Sequence, residues 1–216
     1  MDGDQAPVFD QNFAVQFADL LRWRRDVRRF RSERLPEGLV EELLAQAECA
    51  PSVGHSQPWR WVRVHDPAQR VAAQDSFARC NAEALASYEG ERARLYASLK
   101  LEGLREAPEQ IAVFCDHGTA RGHGLGRRTM PEMLDYSVVA AITQFWLAAR
   151  VKGLGVGWVS ILEPEIVCKA LGVPAEWKLI AWLCVGLPAE ESAVPDLVRA
   201  GWESGPILYD QGRRQP

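Results

Sequence analysis

Apolar positions recur at helical spacing over residues 11–22, where Phe13, Phe17, Leu20 and Leu21 predict a helix with one apolar face. A second stripe of Leu39, Val40, Leu43, Leu44 and Ala47 follows Pro36, a residue suited to a helix start. That helix must end before Pro51, whose ring disfavours helical geometry in the residue ahead of it. The pattern then changes to alternation over 58–65, with Trp59, Trp61, Val62 and Val64, which predicts a strand that leaves at Asp66-Pro67. Residues 67–104 are charged and weakly apolar around Gly90, and read either as two helices or as a helix and a mobile lid. Residues 110–115 (QIAVFC) read as a buried strand, and the glycine-rich, polar stretch 116–131 as a long functional loop. Residues 134–151 are apolar nearly all round, so this helix belongs at the centre. Gly153, Gly155 and Gly157 lead into a short strand ending near Ile161; Pro164 opens a helix to about Leu171, and 179–186 is a buried strand. With no internal repeat and no Ser/Gly-rich linker, residues 1–216 are expected to form one helix-rich α+β domain with about four strands.

Composition adds exclusions. A chain of 216 residues, 47% hydrophobic and 25% charged, is ordinary globular material and not a disordered polymer. A net charge of −4 argues against a general nucleic-acid binder, which needs a cationic surface for phosphate. The five cysteines are scattered without a C-x-x-C pair and read as reduced, mostly buried thiols. Residues 1–10 carry Asp2, Asp4 and Asp10 and no basic run, unlike a signal peptide, and the most apolar stretch is too short to span a bilayer. The expectation is a soluble, cytoplasmic protein. Eight tryptophans favour a large core or an obligate dimer interface. His117 and His123 share a loop with Asp116, but the pairing is weak and no metal site is expected.

Three segments carry candidate chemistry. The run Arg22-Trp23-Arg24-Arg25-Asp26-Val27-Arg28-Arg29-Phe30-Arg31 concentrates guanidinium groups suited to phosphate or carboxylate; equally, Trp23, Val27 and Phe30 fit the buried side of a helix with arginines facing solvent. A carboxylate among arginines, Asp26 is suited to accept hydrogen bonds or act as a base, or else to form a structural salt bridge. The turn Pro51-Ser52-Val53-Gly54-His55-Ser56-Gln57-Pro58 offers short hydroxyls and amides to the polar edge of a heterocycle, or uses Ser and Gly for backbone reasons. The glycines of Gly153-Leu154-Gly155-Val156-Gly157 allow close backbone approach to a ligand, or serve only the passage from helix to strand. Ser160 has no G-x-S-x-G context for acyl transfer, and the Gly122–Arg128 stretch lacks the spacing of a phosphate loop.

Taken in order, R-R-x-V-R-x-F at 24–30, A-P-S-x-x-x-x-Q-P-W at 50–59 and the glycine-rich entry to a short strand resemble the nitroreductase-like FMN superfamily across residues 16–205. Within it the chain is most similar to the 5,6-dimethylbenzimidazole synthase branch. That likeness rests on Asp26, where ordinary nitroreductases usually carry Ser or Thr, on the Pro-Ser-Val-Gly turn, on Leu99-Lys100-Leu101-Glu102-Gly103, on Met130-Pro131-Glu132-Met133-Leu134 and on Gly155-Val156-Gly157-Trp158-Val159-Ser160.

The resemblance implies a three-layer α+β fold, with a central, mostly antiparallel sheet flanked by helices, and an intertwined homodimer holding FMN at its interface. It implies that reduced FMN is the substrate, fragmented with dioxygen to 5,6-dimethylbenzimidazole and erythrose 4-phosphate for the lower ligand of vitamin B12. NAD(P)H then acts indirectly, through a separate flavin reductase. By the same resemblance Arg24, Arg25 and Arg28 anchor the phosphate and polar edge of the flavin, with Arg199 or another arginine as a second anchor. Val27, Pro51, Ser52, His55, Gln57, Lys100 and Ile161 complete the flavin contacts, Ser52 and His55 from across the interface. Asp26 and Ser160 manage proton transfers, and residues 80–104, with Tyr88 and Tyr96, form a lid. The alternatives are an NAD(P)H-dependent FMN nitroreductase or dehalogenase of the same fold, and a flavin-binding carrier or sensor without chemistry of its own.

Overall fold

The computed structural model describes residues 6–205. The outer parts of the expected N-terminal arm (1–15) and C-terminal extension (195–216), namely 1–5 and 206–216, lie outside the described residues.

Among the described residues seven α-helices and four strands follow in the order α1 (Gln11–Trp23), α2 (Leu39–Ala47), β1 (Trp59–Arg63), α3 (Pro67–Ala86), α4 (Gly90–Ser98), β2 (Glu109–Asp116), α5 (Met133–Val151), β3 (Gly155–Val159), α6 (Pro164–Leu171), β4 (Trp177–Gly186) and α7 (Asp196–Arg199). Local signals set several ends. Asp10 caps α1 by accepting the Phe13 N–H, Asp66 caps α3 through the Ala68 N–H with Pro67 in the first turn, and Gly172 closes α6 in the left-handed region. No helix among the described residues is long and apolar enough to cross a membrane.

The strands form one antiparallel sheet in the order β1-β2-β4-β3. Both faces are covered, which explains why β2 and β4 are continuously apolar instead of alternating. Ile111, Val113, Leu183 and Val185 face α2 and the central α5, with Leu43, Val138, Ile142 and Phe145. Ala112, Phe114, Trp182 and Cys184 face the opposite layer, with Ala73 of α3 and Val167 of α6. Gln110, buried within β2, is satisfied: it accepts from Trp182 Nε1 at 3.0 Å and donates to the Leu104 carbonyl at 2.7 Å.

Several expectations need correction. The charged stretch after Pro67 is not among them: of its two readings, two helices hold, α3 and α4. Strand β3 stops at Val159, before Ser160 and Ile161, and β4 begins two residues earlier than its apolar run. The four-residue α7 is too short to leave a periodic signal. The arginine run is not a helix face. Helix α1 ends at Trp23, and the chain continues extended along β3, with a parallel bridge between Asp26 and Val156 and a 3.0 Å bond from Val27 N–H to the Val156 carbonyl. Beyond it the Arg31 N–H donates to the Leu187 carbonyl, and Phe30 lies buried against the sheet's second layer.

Candidate active site

The approach of residues 26–30 to β3 depends on missing side chains. A Cβ on Gly157 would lie 2.1 Å from the Val27 carbonyl oxygen, and one on Gly155 would lie 2.7 Å from Val27 Cγ2. The bare backbone of these glycines allows a close approach, but what approaches is the chain's own Val27 and not a ligand. This contact delivers Asp26 to the strand edge.

There the carboxylate is clamped. Its Oδ1 accepts the Trp158 backbone N–H at 2.9 Å, and its Oδ2 accepts Arg28 Nη2 at 2.9 Å and Nε at 3.1 Å. Such charge-assisted bonds fix a side chain firmly. Arg28 in turn donates through Nη1 to the Lys100 carbonyl at 3.1 Å, so the run 24–31 is tied to the segment leaving α4. Lys100 Nζ bonds Glu106 at 2.9 Å and Glu102 at 3.1 Å. Burial works against the Lys100 ammonium, but these two carboxylates outweigh it and raise its pKa above the ordinary lysine value.

Arg25 is differently employed. Its Nε and Nη2 bond the Ala193 carbonyl at 3.0 and 2.7 Å, and its Nη1 bonds the Arg24 carbonyl at 2.7 Å. Three of five N–H groups are therefore committed, two to the backbone that leads to α7 and one to Arg24, and two remain. Burial, then the neighbouring Arg24 and Arg22, lowers its pKa. The Arg24 guanidinium stands 4.7 Å from the centre of the Trp146 ring, a cation–π distance.

Beside this assembly lies a cleft of about 460 Å³ lined by Arg28, Arg29, Lys100, Glu190, Leu197 and Arg199, among others. A smaller hollow of about 30 Å³ adjoins Arg25–Arg29. Ser160 is exposed at the end of β3, two residues past the Trp158 N–H that Asp26 accepts, with Ile161 half-buried after it. Neither hollow includes Ser160.

The second group of predicted residues sits elsewhere. The turn 51–57 hangs on α5 through a 3.0 Å bond from Val53 N–H to Ser137 Oγ, and is closed by the Gln57 N–H donating to Ser52 Oγ at 3.1 Å. His55 and Gln57 adopt positive φ of 55° and 45°, a conformation that costs a non-glycine residue about 1–3 kcal/mol and clusters at functional sites. The turn is braced by the loop before α5: Gly54 and Gly122 pack backbone to backbone, and Arg121 donates to Gln57 Oε1 at 2.5 Å. Pro51 and His55 are exposed, and none of residues 51–57 lines the cleft at Arg28. The predicted residues thus form two groups: Arg24–Arg28 with Lys100 and the end of β3, and separately the turn 51–57.

Sequence reasoning missed Glu102 and Glu106, which hold Lys100; Trp158, whose N–H holds Asp26; and Arg121, which holds Gln57. Glu102 and Trp158 lie within segments that carry the resemblance; Glu106, six residues from Lys100, and Arg121, 64 residues from Gln57, have no pattern to mark them.

A family model described as the nitroreductase family matches residues 21–187. A 5,6-dimethylbenzimidazole synthase of Rhodospirillum rubrum is 58% identical over 198 residues, covering 92% of this chain and 94% of that protein. Another of Rhodobacter capsulatus is 45% identical over 195 residues, covering 90% and 94%. Among solved structures, an oxidized iodotyrosine deiodinase bound to FMN and 3-iodo-L-tyrosine superposes with a TM-score of 0.70 at 25% identity, covering 89% of this chain and 98% of that one. With most of its length matched by that model and by relatives of such identity, this chain belongs to the nitroreductase family.

Proposed function

We propose that the chain is a 5,6-dimethylbenzimidazole synthase that fragments reduced FMN with dioxygen, yielding the benzimidazole and erythrose 4-phosphate for the lower ligand of vitamin B12. The observation that carries this reading is the 58% identity to the Rhodospirillum rubrum synthase over nearly the whole of both chains. The clamped Asp26, standing where ordinary nitroreductases usually carry Ser or Thr, favours it over a nitroreductase or dehalogenase that recycles its flavin.

The residues present fit the flavin. The cleft volume lies in the range of small-molecule sites, and its cations Arg28, Lys100 and Arg199 suit a phosphate-bearing ligand. When bound, reduced FMN supplies both the electrons for dioxygen and the ring that becomes the product. Arg24 and Arg28, with the two uncommitted N–H groups of Arg25, hold the phosphate and the polar edge, with Arg199 as a second phosphate anchor. Val27, Lys100 and Ile161 line the approach. Asp26 Oδ1 and Oδ2 are acceptors held rigidly enough to take or return a proton without reorganising. Ser160, exposed just past the end of β3 and two residues beyond Trp158, is the second proton-handling group. Residues 80–104, which take in the end of α3, α4 and the segment after it, act as the lid with Tyr88 and Tyr96; excluding water would protect the bound flavin from side reactions. NAD(P)H acts upstream, through a separate flavin reductase in the cytoplasm, a compartment supported by five free thiols.

The separation of the two residue groups supports a homodimer in which Pro51, Ser52, His55 and Gln57 of one protomer meet Arg24–Arg28 of the other. The apolar surface for such a contact exists: α1 has no buried residue, and Phe13, Phe17, Leu21 and Trp23 are exposed beside Tyr136 and Val139 of α5. Replacing Phe13 and Phe17 together by Glu should convert a dimer to monomers in sedimentation velocity and abolish retention of FMN on gel filtration. A double variant that stays dimeric with full FMN occupancy would refute the α1 interface.

The reaction is tested by mixing the pure protein with FMN and a reductant in air. Loss of flavin matched one-to-one by benzimidazole on chromatography is the expected result, with NAD(P)H effective only when a flavin reductase is added. Reductant consumption that depends on a nitroaromatic, with FMN intact, would establish the recycling alternative instead.

A further inference from the structure

At the far end of the sheet from Asp26, three potential metal ligands converge without any role in the flavin site. Cys115 is the penultimate residue of β2, and the bond from His117 N–H to the Glu176 carbonyl carries the ladder just past the strand. Alternation along the chain therefore sends Cys115 and His117 to one side, toward α5, and Asp116 to the other, where it accepts Arg60 at 2.6 Å. Asp135, in the first turn of α5, meets the first pair: its Oδ1 lies 2.7 Å from His117 Nε2, and the Cys115 sulfur lies within 4.8 Å of the same group. One sulfur, one nitrogen and one oxygen ligand atom lie within 4.8 Å of one another.

We propose that Cys115, His117 and Asp135 form a site for a divalent, borderline-soft transition metal such as zinc, with a fourth position open to solvent. Bond lengths of about 2.0–2.3 Å from zinc to oxygen, nitrogen and sulfur place ligand atoms roughly 3.3–3.8 Å apart around a tetrahedron. The triad matches this after small movements: the His117–Asp135 contact opens by under an ångström while the sulfur closes in. Sulfur, imidazole and carboxylate together select zinc-like ions over magnesium or calcium, which prefer oxygen alone.

The charges also balance. Binding releases the thiol proton to solvent, so that a thiolate and a carboxylate neutralise the dication. A cation already occupies part of the place: Lys178, the cross-strand partner of Cys115, holds Asp135 Oδ2 at 2.6 Å. Its side chain is 59% exposed, so the ammonium can swing into water when a metal arrives, whereas the Asp135 side chain at 16% stays enclosed. Lys178 is thus a built-in competitor. The metal would pin the end of β2 to the first turn of α5, two residues before the Ser137 hydroxyl that anchors the turn at Val53.

Cobalt(II) added to the full-length, chelator-treated protein tests this. One equivalent should produce a thiolate-to-cobalt charge-transfer band with intense tetrahedral visible bands, both displaced by zinc. Cys115→Ser should lose the charge-transfer band, His117→Ala should weaken cobalt binding at least tenfold, and Lys178→Met should tighten it. Cys49→Ala, which removes an exposed thiol elsewhere, should change nothing. Zinc should raise the melting temperature of the parent chain but not of His117→Ala, a half-exposed position whose loss leaves the core intact. The absence of a charge-transfer band at one equivalent, or its persistence in Cys115→Ser, overturns the site. Equal affinity in His117→Ala overturns it as well, and weaker binding in Lys178→Met removes the competitor role.

Discussion

Asp26→Asn should retain FMN yet lose benzimidazole formation by about 10²–10⁴-fold, the usual contribution of a positioned proton-transfer group. The isosteric amide keeps the volume of the site, but it has one acceptor oxygen where the carboxylate has two. Asp26 uses both, one on the Trp158 N–H and the other on two nitrogens of Arg28. If the amide oxygen faces Trp158, its NH₂ confronts the guanidinium; if it faces Arg28, the NH₂ confronts the backbone donor. Either orientation leaves a donor against a donor, at a cost of about 1–3 kcal/mol in folding stability. Arg24 and Lys100 are untouched, so flavin titrated into the variant should still bind within a few-fold of the parent. Single-turnover oxidation of reduced FMN, followed by chromatography, separates binding from chemistry. Full product yield would remove Asp26 from the proton path, whereas loss of FMN binding would show that its task is to aim Arg28.

That residue illustrates what was legible and what was not. Helices α1, α5 and α6 lie within a residue or so of their sequence expectations, because each carries a sustained stripe or a Pro or Gly at a boundary. Strands β2 and β4 were recognisable as buried because both faces of the sheet are covered. The arginine run stayed ambiguous because Trp23, Val27 and Phe30 fall at spacings that suit a helix, while the chain is in fact extended. What decides the matter is Gly155 and Gly157, more than a hundred residues away, whose bare backbone accepts the run alongside β3. No local pattern near Arg24 encodes that. The identities of Arg24, Arg25 and Arg28 pointed to anions, but only the fold shows Arg25 spending three donors on backbone carbonyls and Arg28 steering Asp26. The turn 51–57 was found as a motif, yet its bracing by Arg121 and Gly122 was invisible, since that loop carries no recognised spacing.

The same glycines supply the most damaging substitution. Gly157→Ala should destabilise the fold by about 3 kcal/mol or more, at or beyond the upper end of overpacking costs, and abolish activity. The new methyl would fall 2.1 Å from the Val27 carbonyl oxygen, and backbone cannot rotate aside as a side chain can. Residues 26–30 would have to leave β3, breaking the bond from Val27 N–H to Val156 and withdrawing Asp26 from Trp158. Gly155→Ala meets the Val27 side chain, at 2.7 Å from Cγ2, 2.9 Å from Cβ and 3.0 Å from Cγ1, so trimming that side chain to alanine removes two of its three nearest contacts. The pair of double variants is therefore diagnostic. Gly155→Ala with Val27→Ala should recover part of the stability lost in Gly155→Ala alone, measured by urea unfolding, because only the Val27 Cβ contact at 2.9 Å is left. Gly157→Ala with Val27→Ala should recover none, because the offending carbonyl remains whatever residue 27 is. Equal rescue of both would mean that the arginine run is held to the sheet by side-chain packing alone, and that the backbone approach at Gly157 does not set the position of Asp26.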